Sequence, residues 1–296
     1  MASDRPQGSA GMDGIWEQEG RNPLVAAFLL VVGAGSIYFL VQTVVLNGTI
    51  MIDMVRPGTA DGEPMSVYKR YQWLILAVTS VTQYGLLLLP TLLLTKRWHT
   101  SDRRGYLRAD RFSLAGAVIS TVGILALLPI VGLLAEFFYS LAPELEELQA
   151  DVGELITSDT ILGQIGILFA IAVTPAVCEE VMFRGYFQRT LERRMRLWHF
   201  VVSGAIFALF HQQVLTLPSL IIVGIYLSYV FFAFRSVWVT IIAHFAYNGV
   251  QVVLANYLEP VEEEVTGEVF TLPVLAIAIV VTGVMIVLAE RHRSRV

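Results

Sequence analysis

Residues 161–188 read ILGQIGILFAIAVTPAVCEEVMFRGYFQ. An apolar run of membrane-span length ends here in three charges within six residues, Glu179, Glu180 and Arg184. A charged side chain near mid-bilayer costs roughly 2.5–3.5 kcal/mol on the insertion scale, and an apolar one returns only about 0.3–0.6 kcal/mol. Three charges would therefore cancel much of the insertion energy of the run. Such residues persist in a span when they face a protein interior or a water-filled cavity, usually paired. Glu180 and Arg184 stand at i and i+4, the spacing of an ion pair on one helix face. Glu179, turned about 100° away, is left without an obvious local partner.

The rest of the chain supports the membrane reading. Of 296 residues, 55% are hydrophobic and 15% charged, and the mean hydropathy is +0.65. Soluble domains carry about 25% charged residues and cannot hide so much apolar surface in one core. Cys178 is the only cysteine, which excludes an intrachain disulfide and a multi-cysteine zinc site. The polar N-terminus lacks the layout of a cleaved signal peptide.

Apolar runs of about 20 residues predict an all-α polytopic transmembrane bundle of about eight spans, at 24–47, 73–95, 112–140, 161–188, 198–216, 218–235, 237–258 and 269–289. With the N-terminus inside, 17 of the 20 basic residues fall on the inner side and three on the outer, so both termini are expected in the cytoplasm. Two outer loops are acidic, one through Glu144, Glu146, Glu147, Asp151, Glu154 and Asp159, the other through Glu259, Glu262, Glu263, Glu264 and Glu268. The expected organisation is a polar N-terminus over 1–23, three spans over 24–140 and an acidic loop over 141–160. A core of four spans over 161–258 follows, then an acidic loop, last span and basic tail over 259–296.

Two further polar positions lie inside apolar helices. His211 stands about 20 Å of helix rise beyond Trp198, and His244 about 10 Å inside the seventh span. Asn248 follows His244 by one turn, on the same face. If the fourth helix continues to about Gln188, Glu179 is roughly 14 Å from its inner end, and helix tilt can bring the three depths level. His99, His199 and His292 lie at span edges, where interfacial or loop roles are expected, and Cys178 reads as a packing residue.

Glutamate with histidine is a competent general-base pair for water, and a second histidine with asparagine can supply donors to an oxyanion. The same two histidines and carboxylate are also the ligand set of a hydrolytic zinc site. Both routes end at amide hydrolysis.

Glu179-Glu180-x-x-x-Arg184, Phe207-x-x-x-His211 and His244-x-x-x-Asn248, in that order on successive helices, resemble the signature of the CPBP family, the CAAX proteases and bacteriocin-processing enzymes also called Abi. Phe183 and Gly185 look like the usual flanks. The resemblance implies an intramembrane endopeptidase acting near the cytoplasmic side. By match, Glu179 and His211 activate water, His244 and Asn248 stabilise the oxyanion, and Glu180, Arg184 and Phe207 support the site. The family is described both as metal-free glutamate-type and as metalloprotease. The metal-free scheme, with no cofactor required, is favoured because Asn248 is a poor zinc ligand; in the zinc scheme Glu179, His211 and His244 are the ligands. The alternatives are a non-catalytic immunity or peptide-binding protein and an ion-coupled transporter. Expected partners are membrane lipids and a peptide or membrane-protein substrate, with no nucleic acid, and the expected location is a bacterial cytoplasmic membrane.

Overall fold

The computed structural model describes residues 11–55, 67–142, 153–257 and 271–294. Among these, seven helices are long and apolar enough to cross a membrane, joined by one shorter apolar helix. In chain order they are α1 (Pro23–Asp53), α2 (Gln72–His99), α3 (Leu114–Ser140), α4 (Ile161–Leu191), the short α5 (Trp198–Phe210), α6 (Leu217–Phe234), α7 (Val237–Tyr257) and α8 (Leu272–Arg293). Most of the acidic residues of the two outer loops lie outside the described residues.

Several helix starts follow from local chemistry. Asn22 accepts from the Leu24 N–H with Pro23 in the first helical position, Ser113 accepts from Gly116, and Thr160 accepts from Gly163, each satisfying one orphan donor of a helix N-terminus. α2 and α4 are not uniform. Gln83–Leu88, Phe169–Val173 and Val181–Gln188 are π-helical, a widened turn that recurs at functional sites.

Among the described residues four apolar clusters hold the bundle, two of them large. One joins α1, α2, α4 and α5 through Leu30, Leu87, Phe183, Phe187 and Phe207. The other joins α3, α6, α7 and α8 through Ile124, Val223, Leu227, Val239 and Ala289. The outward faces stay apolar, as Leu40 and Leu162 illustrate, both more than half exposed; in lipid such faces need no cover.

The polarity of each helix can be read from its ends. At one end Val237 N–H donates to the Arg108 carbonyl, Ser236 to Arg111, Arg193 to Glu17, and Phe234 packs on His292. At the other, Gln72 donates to the Leu155 carbonyl and Asn256 to Ile156. The basic end therefore holds the described start of the chain, the α4–α5 and α6–α7 junctions and the end of α8.

The fifth span differs from expectation. Helix α5 stops at Phe210, and its 13 residues rise about 20 Å, short of the ~30 Å hydrocarbon thickness. Apolar residues resume at Val214, but Gln212 adopts a left-handed conformation with φ 54° and Pro218 fits only the first turn of α6. Helices α5 and α6 thus form a hairpin that turns beside Tyr38 and Phe39 of α1, whose rings pack on Phe210. Because the hairpin leaves from and returns to the basic end, both ends of the described chain remain on one side.

Candidate active site

The fourth helix continues past Glu179 to Leu191, so both glutamates are held inside the bundle. Glu180 is fully buried and paired through one oxygen, its Oε2 having no hydrogen-bond partner among the described residues. Its Oε1 accepts from Arg184 Nη1 at 2.8 Å and lies 2.9 Å from His244 Nδ1. Arg184, also fully buried, donates through Nη2 to the Gly224 carbonyl at 3.1 Å, and its guanidinium lies 4.1 Å from the Phe207 ring centroid. That carbonyl is reachable because α5 and α6 cross backbone to backbone: a Cβ added to Gly204 would sit 2.4 Å from the Ile225 nitrogen. Small residues at a helix crossing allow this approach.

Glu179 is different. It is only 6% exposed, yet neither of its oxygens makes a hydrogen bond among the described residues, and its Oε2 is buried without a partner. Its one ion-pair contact among the described residues is with His211, whose Nε2 lies 3.9 Å away. The His211 Nδ1 faces the Phe207 carbonyl at 2.9 Å; a carbonyl only accepts, so Nδ1 carries the proton and, in the neutral ring, Nε2 presents a lone pair to Glu179. The 3.9 Å gap is too long for a direct hydrogen bond.

His244 is oriented from both sides. Its Nδ1 donates to Glu180, and Asn248 Nδ2 donates to its Nε2 at 3.2 Å. Asn248 Nδ2 also donates to the Ile171 carbonyl at 3.0 Å. That acceptor has a cause in the sequence. The α-helical donor to Ile171 would be the N–H of residue 175, and residue 175 is proline, which has none. Pro175 thus withholds the α-helical donor from the Ile171 carbonyl, which lies in the π-helical turn Phe169–Val173 and accepts from Asn248 of α7.

The structure brings together all the residues read from the sequence, in two linked groups: Glu179 with His211, and His244 with Asn248, Glu180 and Arg184. Phe207 lies between them, its ring 4.7 Å from that of His211 and 5.9 Å from that of His244. Cys178 is a buried free thiol. Among the described residues, no three His, Cys, Asp or Glu side chains form a group able to hold a metal ion. Glu179, His211 and His244 therefore do not fit one zinc ion as they stand.

Sequence reasoning missed two features. Pro175 was visible only as a tolerated proline, and its consequence at Ile171 needs the α4–α7 contact. The edge histidines are also more committed than expected. His99 is completely buried, with Nδ1 2.6 Å from Glu17 and Nε2 3.1 Å from the Tyr186 hydroxyl, and His199 is buried near Gln188. Glu17 also receives Arg193 through two bonds of 2.6 and 2.7 Å. Burial alone would raise the Glu17 carboxyl, but hydrogen bonds from Arg193 and His99 outweigh it and hold it below the ordinary carboxylate value.

Fold and site together define an integral membrane protein of many helices with a buried glutamate–histidine site where α4, α5 and α7 meet. Residues 161–250 match the family model described as type II CAAX prenyl endopeptidase Rce1-like, and all three motifs fall within this segment. The family is one of membrane peptidases. No curated protein matches the chain, and no solved structure does.

Proposed function

We propose that the chain is an intramembrane endopeptidase that hydrolyses a peptide bond near the cytoplasmic side of the membrane, with Glu179 and His211 activating water. The observation that carries this reading is the buried Glu179 oxygen that has no partner and faces a histidine lone pair. A polar contact of 3.9 Å is the kind a single water bridges. Such a water would donate one hydrogen to Glu179 Oε2 and the other to His211 Nε2, leaving an oxygen lone pair for attack on the substrate carbonyl. Glu179 takes the proton from the attacking water and passes it to the leaving amine nitrogen, so the carboxylate is regenerated.

In this proposal Asn248 serves the oxyanion, and His244, whose two ring nitrogens are both engaged, positions it. Asn248 holds two neutral acceptors, the Ile171 carbonyl and His244 Nε2. A tetrahedral oxyanion is a stronger acceptor than either and would take one of the two N–H groups. Glu180 and Arg184 keep the His244 ring in place. The substrate class is a peptide segment anchored at the membrane.

The test uses the purified full-length protein in lipid nanodiscs with a membrane-anchored fluorogenic peptide reporter. Glu179→Gln should lose cleavage by about 10²–10⁴-fold, the worth of a positioned general base, with an unchanged melting temperature. Full activity in that variant rules the mechanism out. Metal analysis of the active wild type separates the metal-free scheme from a metal-dependent one.

A further inference from the structure

A groove of about 280 Å³ opens at the basic end between α2, α4, α7 and the segment that joins α2 to α3. Its wall is aliphatic, with Leu92, Val181 and Ile241 among the lining residues, and Arg103, Arg104 and Trp238 complete it. Three other arginines at this end are spent on carboxylates, Arg108 and Arg189 on Glu192 and Arg193 on Glu17. Arg103 and Arg104 have no carboxylate partner among the described residues. Trp238 is 44% exposed, and its indole N–H donates to the Ala109 carbonyl at 2.9 Å, which fixes the ring where aromatic residues mark the membrane–water interface.

We infer that this groove binds an anionic phospholipid, with one acyl chain against the aliphatic wall and the phosphate on Arg103 and Arg104. Charge complementarity selects the headgroup, since two unpaired guanidinium groups stand above an apolar slot at interfacial depth. Basic pockets between transmembrane helices on the positive side are where anionic headgroups collect. The apolar wall selects the lipid over a peptide. A peptide laid into the slot would bring backbone N–H and C=O groups with nothing to bond, since the Ala109 carbonyl is already taken by Trp238. Each unsatisfied group in an apolar site costs several kcal/mol, whereas an acyl chain carries none. The inference stands apart from hydrolysis, because the groove lies on the faces of Val181 and Ile241 and not on those of Glu179 and His211.

The experiment reconstitutes the full chain in vesicles of equimolar phosphatidylglycerol and phosphatidylcholine, extracts it in mild detergent and counts retained lipids by native mass spectrometry. The wild type should retain phosphatidylglycerol over phosphatidylcholine. Arg103→Gln with Arg104→Gln should lower that preference by roughly thirtyfold, the effect of two basic residues beside an anionic surface. Lys96→Gln with Arg97→Gln, which removes two charges at the same end outside the groove, should leave the preference intact. Val181→Trp, which fills the slot while keeping both arginines, should also displace the lipid. Equal retention of the two lipids by the wild type overturns the site. So does an unchanged preference in the Arg103/Arg104 or Val181 variant, or an equal loss in the Lys96/Arg97 control.

Discussion

Two polar clusters hang on α4, one at its basic end and one inside the bundle, and they follow opposite rules. At the end two glutamates are spent: Glu17 receives two bonds from Arg193, and Glu192 receives both Arg108 and Arg189. Inside, Glu180 is tied to Arg184 and His244 through one oxygen, its Oε2 being unpartnered, whereas Glu179 beside it makes no hydrogen bond among the described residues and meets only His211 at 3.9 Å. A paired carboxylate fixes two elements relative to each other. An unpaired buried one stabilises nothing and carries a desolvation cost, so its value must lie elsewhere. The difference between adjacent residues on one helix separates scaffold from chemistry.

The sharpest break of that comparison is to exchange the two glutamates' fates. Glu179→Gln should abolish cleavage by about 10²–10⁴-fold without moving the melting temperature, and a drop in stability as large as that from Glu180→Gln would erase the distinction. Next in size, Arg184→Met leaves the Glu180 charge buried with only His244, a loss of about 3–5 kcal/mol, read by thermal unfolding in detergent. Pro175→Ala restores an N–H that competes with Asn248 for the Ile171 carbonyl. It should lower kcat roughly two- to tenfold, the worth of one neutral hydrogen bond, with KM unchanged and little added effect in an Asn248→Ala background. Additive losses would show that the proline acts only through helix shape.

The smallest effect belongs to the basic end. Because the folded Glu17 carboxyl is held below its ordinary value of 4.5, its stabilising contribution is complete above that pH. It is lost as pH falls through the lowered value. The acid-side decline in melting temperature should therefore be shallower in Glu17→Gln than in the wild type; identical slopes would mean the cluster contributes nothing.

Much of this was legible in the residues because insertion cost and helical spacing are local quantities. The Glu180–Arg184 pair follows from i, i+4 geometry, and the continuation of α4 follows from the apolar residues that surround the charges. The adjacency of His244 and Asn248 comes from one helical turn. What escaped was set by contacts between helices. Apolar counting ran α5 on to residue 216 because it does not register that Gln212 takes a left-handed turn. His99 was read as interfacial because its partners, Glu17 and Tyr186, are 82 and 87 residues away. The Ile171 carbonyl could be seen to lose its donor, but not that α7 would bring Asn248 to it.

That missing donor at residue 175 has a consequence for descent. A gap in the ladder of one helix has become the receptor for a side chain of another, so neither position is free to drift alone. A lineage that replaced the proline would leave the amide competing for its acceptor, and one that lost the amide would leave a carbonyl unanswered within the membrane. Residues 175 and 248, 73 positions apart in the chain, are expected to be inherited as a unit.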